Sequence, residues 1–464
     1  MSEPLEMMLA MPDQSLFGFP PTNNPTPIPP THEPNSVMHP FNIPDSLFVS
    51  ALDPKVPLSI AITYAVTIKL LNRLNKARNK KPWGISKTTP FGVFVILHNI
   101  FLAVYSAWTF WGMLGGMRRS ILSPMGPMGW AGTADSFCRL HGAPGPGNSV
   151  FYDEATSSFV SATQGAAMVD GFPDKSQAGR MWNEGLAYYG WIFYLSKFYE
   201  VLDTFIILAK GKQSSVLQTY HHAGAMLCMW AGMRFMSAPI WIFVLVNSFI
   251  HSLMYTYYTL TAFNIRIPTI MKRTLTSMQI TQFVLGGSYA MMHSFVYYVA
   301  PVTVTRETAA PTAGSAPAAE SLAAGTFDSL KKLVFGGEGD GTQIPHGSIG
   351  ASTTTQTFYI TQGCVATTGE SFAIWLNVLY LAPLTYLFVS FFIASYVKRS
   401  NAAHKSNGKT SRRLSSNVVM AEKAGWDAAK SIEKEVYGGE NMLNGSAIAE
   451  DSPQRSNGKS RRRA

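Results

Sequence analysis

Two adjacent histidines, His221 and His222, stand inside an apolar segment, just behind Gln218-Thr219-Tyr220. A neutral imidazole can accept an acyl group and carry it as a covalent intermediate. A second imidazole can move the proton that such a transfer sets loose. Other apolar segments hold Lys197-x-x-Glu200-x-x-Asp203-Thr204, then Asn247-x-x-x-His251 followed by Tyr255 and Tyr258, and Gln279-x-x-Gln282. Ionisable groups at membrane depth are costly, and they normally face a protein interior where they do work. The amides of Asn247 and Gln218 and the tyrosine hydroxyls can donate to an oxyanion as it develops.

The spacing arranges these groups in three dimensions. Lys197, Glu200, Asp203 and Thr204 share one stripe of a helix, and Asn247, His251, Tyr255 and Tyr258 share another. Gln218 lies a turn before the histidine pair, and Gln279 and Gln282 are neighbours on one face. Candidate catalytic residues are therefore His221, His222, His251, Gln218 and Asn247. Candidate substrate-binding residues are Lys197, Glu200, Asp203, Thr204, Tyr255, Tyr258, Gln279 and Gln282. The Lys197–Glu200–Asp203 stripe also reads as an ion network that orients the others. His98 and His293, each alone on an apolar face, read as core residues, as does Cys228.

The elements that must position these groups are membrane helices. The chain is 47% hydrophobic and 14% charged, against about 25% charged in a soluble domain. Seven apolar runs approach the ~20 residues a spanning helix needs: 56–73, 91–114, 186–209, 215–236, 239–263, 275–300 and 371–397. The fold class expected is an all-α polytopic membrane protein. The net charge of +10 is a topology signal and not a nucleic-acid one. Arg73, Lys76, Arg78, Lys80, Lys81 and Lys87 follow the first run; Lys210 and Lys212 follow the third; Arg266, Lys272 and Arg273 follow the fifth. Residues 398–464 carry 14 Lys/Arg against 7 Asp/Glu. With seven spans all four regions fall on one side, which the positive-inside rule makes cytosolic. The N-terminus and the loops 115–185 and 301–370 then face the lumen, if the membrane is that of the endoplasmic reticulum.

Depth follows from the ~1.5 Å rise per residue. The polar groups occupy the cytosolic half, and the other half is apolar. Such a pocket, rimmed by Lys210, Lys212, Lys272 and Arg273, suits a substrate with a polyanionic head and a long apolar tail, such as acyl-CoA. Trp230, Trp241 and Phe235 are candidates for the closed end.

Residues 1–56 hold twelve prolines and one Lys/Arg, a composition expected to be disordered. Residues 301–350 and the tail from 398, ending in Arg461-Arg462-Arg463, read as low complexity. This divides the chain into a Pro-rich segment (1–55), a membrane domain (56–397) and a basic tail (398–464). Cys138 and Cys364 both fall in loops on the lumenal side, where a bridge is permitted but two free thiols remain an alternative.

Two other classes are weighed. Membrane di-iron desaturases and hydroxylases carry HxxHH boxes, but they need several, and the one box here begins with Gln218, a poor iron ligand. A seven-helix lipid transporter or receptor needs binding without turnover, and has no use for this cluster.

At Lys197-Phe198-Tyr199-Glu200-Val201-Leu202-Asp203-Thr204, Gln218-Thr219-Tyr220-His221-His222-Ala223-Gly224-Ala225, Asn247 to Tyr258 and Thr276 to Gln282 the chain closely resembles the ELO family of fatty-acid elongases. The resemblance implies seven helices, six of them in a barrel around an acyl tunnel and one peripheral, in the endoplasmic reticulum membrane. It implies a 3-oxoacyl-CoA synthase that condenses acyl-CoA with malonyl-CoA without metal or other cofactor. The partners implied are the lipid bilayer and the 3-oxoacyl-CoA reductase, 3-hydroxyacyl-CoA dehydratase and enoyl-CoA reductase of the elongation cycle. It implies an acyl-histidine at His221, with His251 as acid–base partner, His222 in support, and a Cys138–Cys364 bridge. Much of the family has His where this chain has Gln218. The Gln form resembles the fungal and microalgal branch that extends polyunsaturated chains.

Overall fold

The structure is a computed structural model that describes residues 5–161, 163, 168–308 and 352–393. Of the expected low-complexity stretch 301–350, residues 309–350 lie outside the described residues, as does the basic tail from 398, while 301–308 belong to a strand. A short α1 (Asp45–Ala51) leads into α2 (Lys55–Ala77), followed by α3 (Thr89–Ser120) and, in the next loop, α4 (Gly129–Cys138). Then come α5 (Ala187–Tyr199) and α6 (Val201–Ala209), separated at Glu200, α7 (Val216–Arg234), α8 (Ile240–Ala262), α9 (Thr269–His293) and α10 (Thr368–Phe392). By length and composition α3, α8 and α10 can each cross a membrane, and α1 with α2, bent by 49°, makes a fourth candidate. The other expected spans form helices too, but they are interrupted at Glu200 or diluted by the histidines and glutamines they carry.

Ser215 starts α7, its hydroxyl accepting the Gln218 N–H, and Thr367 starts α10 in the same way for Glu370; such caps satisfy otherwise orphaned donors. In the bundle α3 packs on α5 and α8, α8 on α9, α9 on α10, α10 on α7, and α7 on α5 and α2.

The loops depart from the all-α expectation. β1 (Met7–Leu9) adds to a long hairpin of β7 (Val296–Thr308) and β8 (Ser352–Gly363). Short pairings join β2 (His141–Gly142), β3 (Ser149–Asp153) and β4 (Ser158–Ser161), and β5 (Met168–Val169) with β6 (Phe172–Pro173). The run expected to span the membrane from 275 to 300 is helical only to His293. Beyond it, β-branched and aromatic residues favour an extended strand. Cys138, ending α4, is disulfide-bonded to Cys364, just after β8, with Cα atoms 4.6 Å apart. Beside the bridge, buried Arg180 pairs with Asp135 at 2.9 Å.

The Pro-rich segment is packed, contrary to the disorder expected. Its main-chain carbonyls are taken one after another by aromatic donors of the bundle. Trp182, Trp191, Trp230 and Trp108 donate to Ile28, Phe48, Leu52 and Val37, and Tyr188, Tyr189 and Tyr194 to Phe41, Met38 and Ala51. Arg234 donates to Pro25. Between β1 and α1, residues 18–44 form neither helix nor strand, and their free carbonyls suit borrowed donors, each worth about 1 kcal/mol net. Ile28, Ile43, Phe48 and Leu52 are buried in the main core. This strap crosses the ends of α5, α7 and α10 next to the disulfide. Of the residues expected at the closed end, Trp230 holds the strap, Phe235 packs on Phe372, and Trp241 donates to Tyr289.

Candidate active site

Lys197 and Glu200 face the bundle interior from the end of α5, and both are buried. The Lys197 ammonium donates to Glu200 Oε1 at 2.6 Å and to Asn247 Oδ1 at 3.3 Å. A buried ion pair is tolerated only when its remaining valences are filled, and Asn247 fills one. Asn247 continues the chain by donating through Nδ2 to Gln282 Oε1 at 3.4 Å. It closes a π-helical turn, Phe243–Asn247, within α8; such turns recur at functional sites. One α turn further, His251 places Nδ1 3.7 Å from Glu200 Oε1. That is beyond a hydrogen bond but close enough for the carboxylate to stabilise an imidazolium.

Asp203 sits in a second network. Its Oδ1 accepts from His98 Nε2 at 2.8 Å and its Oδ2 from the Tyr255 hydroxyl at 2.6 Å. The Tyr199 hydroxyl is 3.2 Å from His98 Nδ1. With Nε2 donating, the neutral ring accepts there. His98 is buried, as expected of a core residue, but it is not solitary: it ties α3 to the Asp203 carboxylate. The signal was present in the charge balance, since one lysine cannot serve both Glu200 and Asp203. His293 does fit it, its ring nitrogens lying near the Tyr289 and Phe137 carbonyls. Thr204 bonds to the Tyr64 hydroxyl at 2.9 Å, and the Tyr64 ring stands edge-on to His222 at 6.2 Å.

His221 has a partner the sequence did not announce. The Tyr380 hydroxyl of α10 donates to the His221 carbonyl at 2.9 Å, and its oxygen is 3.2 Å from His221 Nδ1. A phenol has one proton, and a carbonyl can only accept, so Nδ1 carries the ring proton and Nε2 keeps its lone pair. Among the described residues Nε2 has no hydrogen-bond partner. The His221 and His222 ring centroids are 5.5 Å apart, with Phe283 and Phe388 flanking His221. This is an unprotonated imidazole nitrogen in an apolar wall, on a residue near enough to His222, His251, Glu200 and Lys197 to feel their charges.

The remaining predicted residues are more scattered. Gln218 lies in the first turn of α7, its Oε1 3.5 Å from the Ser214 hydroxyl, and Gln279 Nε2 is 3.4 Å from Met254 Sδ. Tyr258 packs edge-on to Tyr255. The rim cations sit apart, Lys210 and Lys212 between α6 and α7 and Lys272 and Arg273 at the start of α9. The Lys212 carbonyl accepts from Asn75 of α2, and burial, then the Lys212 charge, holds Lys210 down to about 8. Lys272 lies over the Tyr257 ring and Arg273 over Phe392. Among the described residues no three His, Cys, Asp or Glu side chains are grouped to hold a metal ion.

The chain is 32% identical over 108 residues to fatty acid elongase 2 of Trypanosoma brucei brucei, covering 23% of this chain and 40% of that protein. It is 32% identical over 111 residues to human very long chain fatty acid elongase 3, 24% of this chain and 41% of that one. It is 26% identical over 247 residues to very long chain fatty acid elongase 7 of Drosophila melanogaster, 52% and 58%. The chain thus spans between about two fifths and three fifths of the length of these relatives. No solved structure matches it. The match to a whole family is broader than any of these, running from residue 49 to residue 404. On that match the chain belongs to the ELO, GNS1/SUR4, family.

Proposed function

We propose that this protein is a fatty-acid elongase of the condensing type, an acyltransferase that joins long-chain acyl-CoA to malonyl-CoA. The observation that carries this is the free Nε2 of His221, its tautomer set by Tyr380, within electrostatic reach of the Lys197–Glu200–His251 group. Nε2 attacks the thioester carbonyl, the C–S bond breaks, and CoA leaves as a thiolate. Asn247 and Gln218 carry the amide N–H groups that can donate to the oxyanion. The Nδ1 proton that the acyl-imidazolium loses leaves by way of the Tyr380 hydroxyl and ends on the CoA thiolate, and Nδ1 takes up a proton when the C–N bond later breaks. Malonyl-CoA then loses carbon dioxide, and the electron pair of the broken C–C bond attacks the acyl carbonyl. The C–N bond breaks and its electrons return to Nε2. The balance is one proton taken up, with 3-oxoacyl-CoA, CoA and carbon dioxide released.

The order of helix contacts, α3–α5–α7–α10–α9–α8 and back to α3, supports a six-helix barrel with α2 outside it, seven spans in all. The basic connections support a cytosolic mouth and C-terminus, a lumenal N-terminus and residence in the endoplasmic reticulum. Gln218 supports a preference for polyunsaturated chains. The reductases and the dehydratase that complete the cycle are the natural partners.

The test is incorporation of labelled malonyl-CoA by membranes, against acyl-CoAs of sixteen to twenty-two carbons, saturated to polyunsaturated. His221→Ala should fold and incorporate nothing. Normal incorporation by that variant removes the acyl-histidine. Incorporation by the wild type with saturated chains only removes the polyunsaturated preference.

A further inference from the structure

A groove of about 580 Å³ opens on the flank of the bundle between α8 and α9. Its walls are Ile242, Val246 and Phe249 on one side and the α9 face from Arg273 to Gly286 on the other. Two features set it apart from an ordinary gap between membrane helices. Arg273 lines the end nearest the α8–α9 connection, and no carboxylate pairs with it among the described residues. At the floor lies Gln282, 6% exposed. Its Oε1 accepts from Asn247, while its amide nitrogen donates to nothing among the described residues. That nitrogen keeps some exposure, so it can donate to a polar group lying in the groove. Through Asn247 the floor residue Gln282 is two hydrogen bonds from Lys197.

Among the described residues the far end of the bundle is tied down. The strap is bonded across α5 and α7, β1 is paired with β7, and the Cys138–Cys364 bridge joins the two loops. An acyl chain lying along the interior from the histidines toward that end has about 16 Å of helix before it, counted from His251 to Ile240.

Resting on the elongase reading, we propose that this groove is a side door through which the acyl chain of the thioester substrate and product passes between the bundle interior and the bilayer. The chain enters sideways along Ile242, Val246 and Phe249, its thioester end held toward Gln282 and its anionic head toward Arg273. The α8 wall is the one that contains the π-helical turn, and a π turn inside an α-helix marks a place where the helix register can shift. A long amphiphile then never has to thread its tail end-first from water.

The probe is hexadecanoyl-CoA with a diazirine at the methyl end, photolysed with the full-length protein in phosphatidylcholine vesicles. Labelling of Val246, Phe249 or Leu285, removed by excess unmodified hexadecanoyl-CoA, is the expected result. Labelling confined to residues inside the bundle overturns the door. Filling the groove with Thr281→Trp should lower turnover of long-chain acyl-CoA about tenfold. Val284→Trp, on an exposed face of the same helix outside the groove, should not change it. Equal turnover in the two variants also overturns the proposal. Labelling needs no condensation. Groove labelling by a wild-type protein that makes no 3-oxoacyl product therefore leaves the door standing and removes the elongase reading.

Discussion

The phenol ring of Tyr380 fills the space that any side chain at position 224 would occupy. Gly224 thereby lets α10 approach α7 until the Tyr380 hydroxyl reaches both the carbonyl and the ring of His221, three residues earlier. The glycine that follows the histidine pair thus fixes a tautomer from a full turn away.

Removing that hydroxyl should cost rate while the fold survives. Tyr380→Phe frees His221 to carry its proton on Nε2, and a histidine held in the wrong tautomer loses on the order of a hundredfold or more in turnover. Gly224→Ala should do the same by pushing the ring away. Condensation assays alongside thermal unfolding check this: both variants should stay folded, and wild-type turnover in both means that Tyr380 does not set the tautomer.

Lys197 and Glu200 predict a stability effect. Lys197→Met leaves a buried carboxylate without its cation, which costs about 3–5 kcal/mol. The double variant Lys197→Met with Glu200→Gln should recover most of the unfolding temperature and none of the activity. If the double variant is no more stable than the single, the pair is not what holds Lys197 in place.

His98 should matter to the chemistry rather than only to packing. His98→Phe fills the volume but takes away one of the two donors to Asp203, leaving Tyr255 as the other, and an unmet buried carboxylate bond costs about 1–3 kcal/mol. His98→Asn, which can still donate, should retain more activity than His98→Phe. Equal activity in the two variants would return His98 to the core.

The loop layer should be sensitive to acid. His141 is buried with both ring nitrogens unpartnered, and burial, then the Arg180 charge, pushes it down to about 3 from 6.5. The unfolded chain binds that proton below pH 6.5 and the folded chain does not until about pH 3. The contribution of neutral His141 is therefore complete above pH 6.5 and is lost as the pH falls toward 3, at about 1.4 kcal/mol per unit. Unfolding temperatures between pH 7 and pH 5 should fall less steeply in His141→Phe, and identical slopes would remove His141 as the cause.

Opening the Cys138–Cys364 bridge releases a loop of 226 residues. Cys364→Ser should lower stability by about 2–5 kcal/mol, and a reductant should produce the same drop in the wild type and none in the variant.

What was legible in the sequence is what a single helix determines. Lys197 to Thr204 and Asn247 to Tyr258 could be placed on stripes because helical period is local, and the structure brings both stripes to one interior. What was not legible depends on which helix meets which. Tyr380 and Tyr64 are tyrosines in apolar runs like many others, and only the approach that Gly224 permits gives Tyr380 its partner. His98 looked solitary because its carboxylate lies 105 residues away. The strap was misread because composition reports whether a segment can bury its own surface, and this one is held by the side chains of others.

The manner of that holding has an evolutionary consequence. Indole and phenol groups of the bundle grip the strap by its carbonyl oxygens, which every amino acid supplies equally. Substitutions at the exposed positions of the first fifty should therefore pass with little penalty, while those at buried Ile28, Ile43 and Phe48 and at the tryptophans and tyrosines that receive the strap should not. In related chains the receptors should persist long after the first fifty residues have ceased to align.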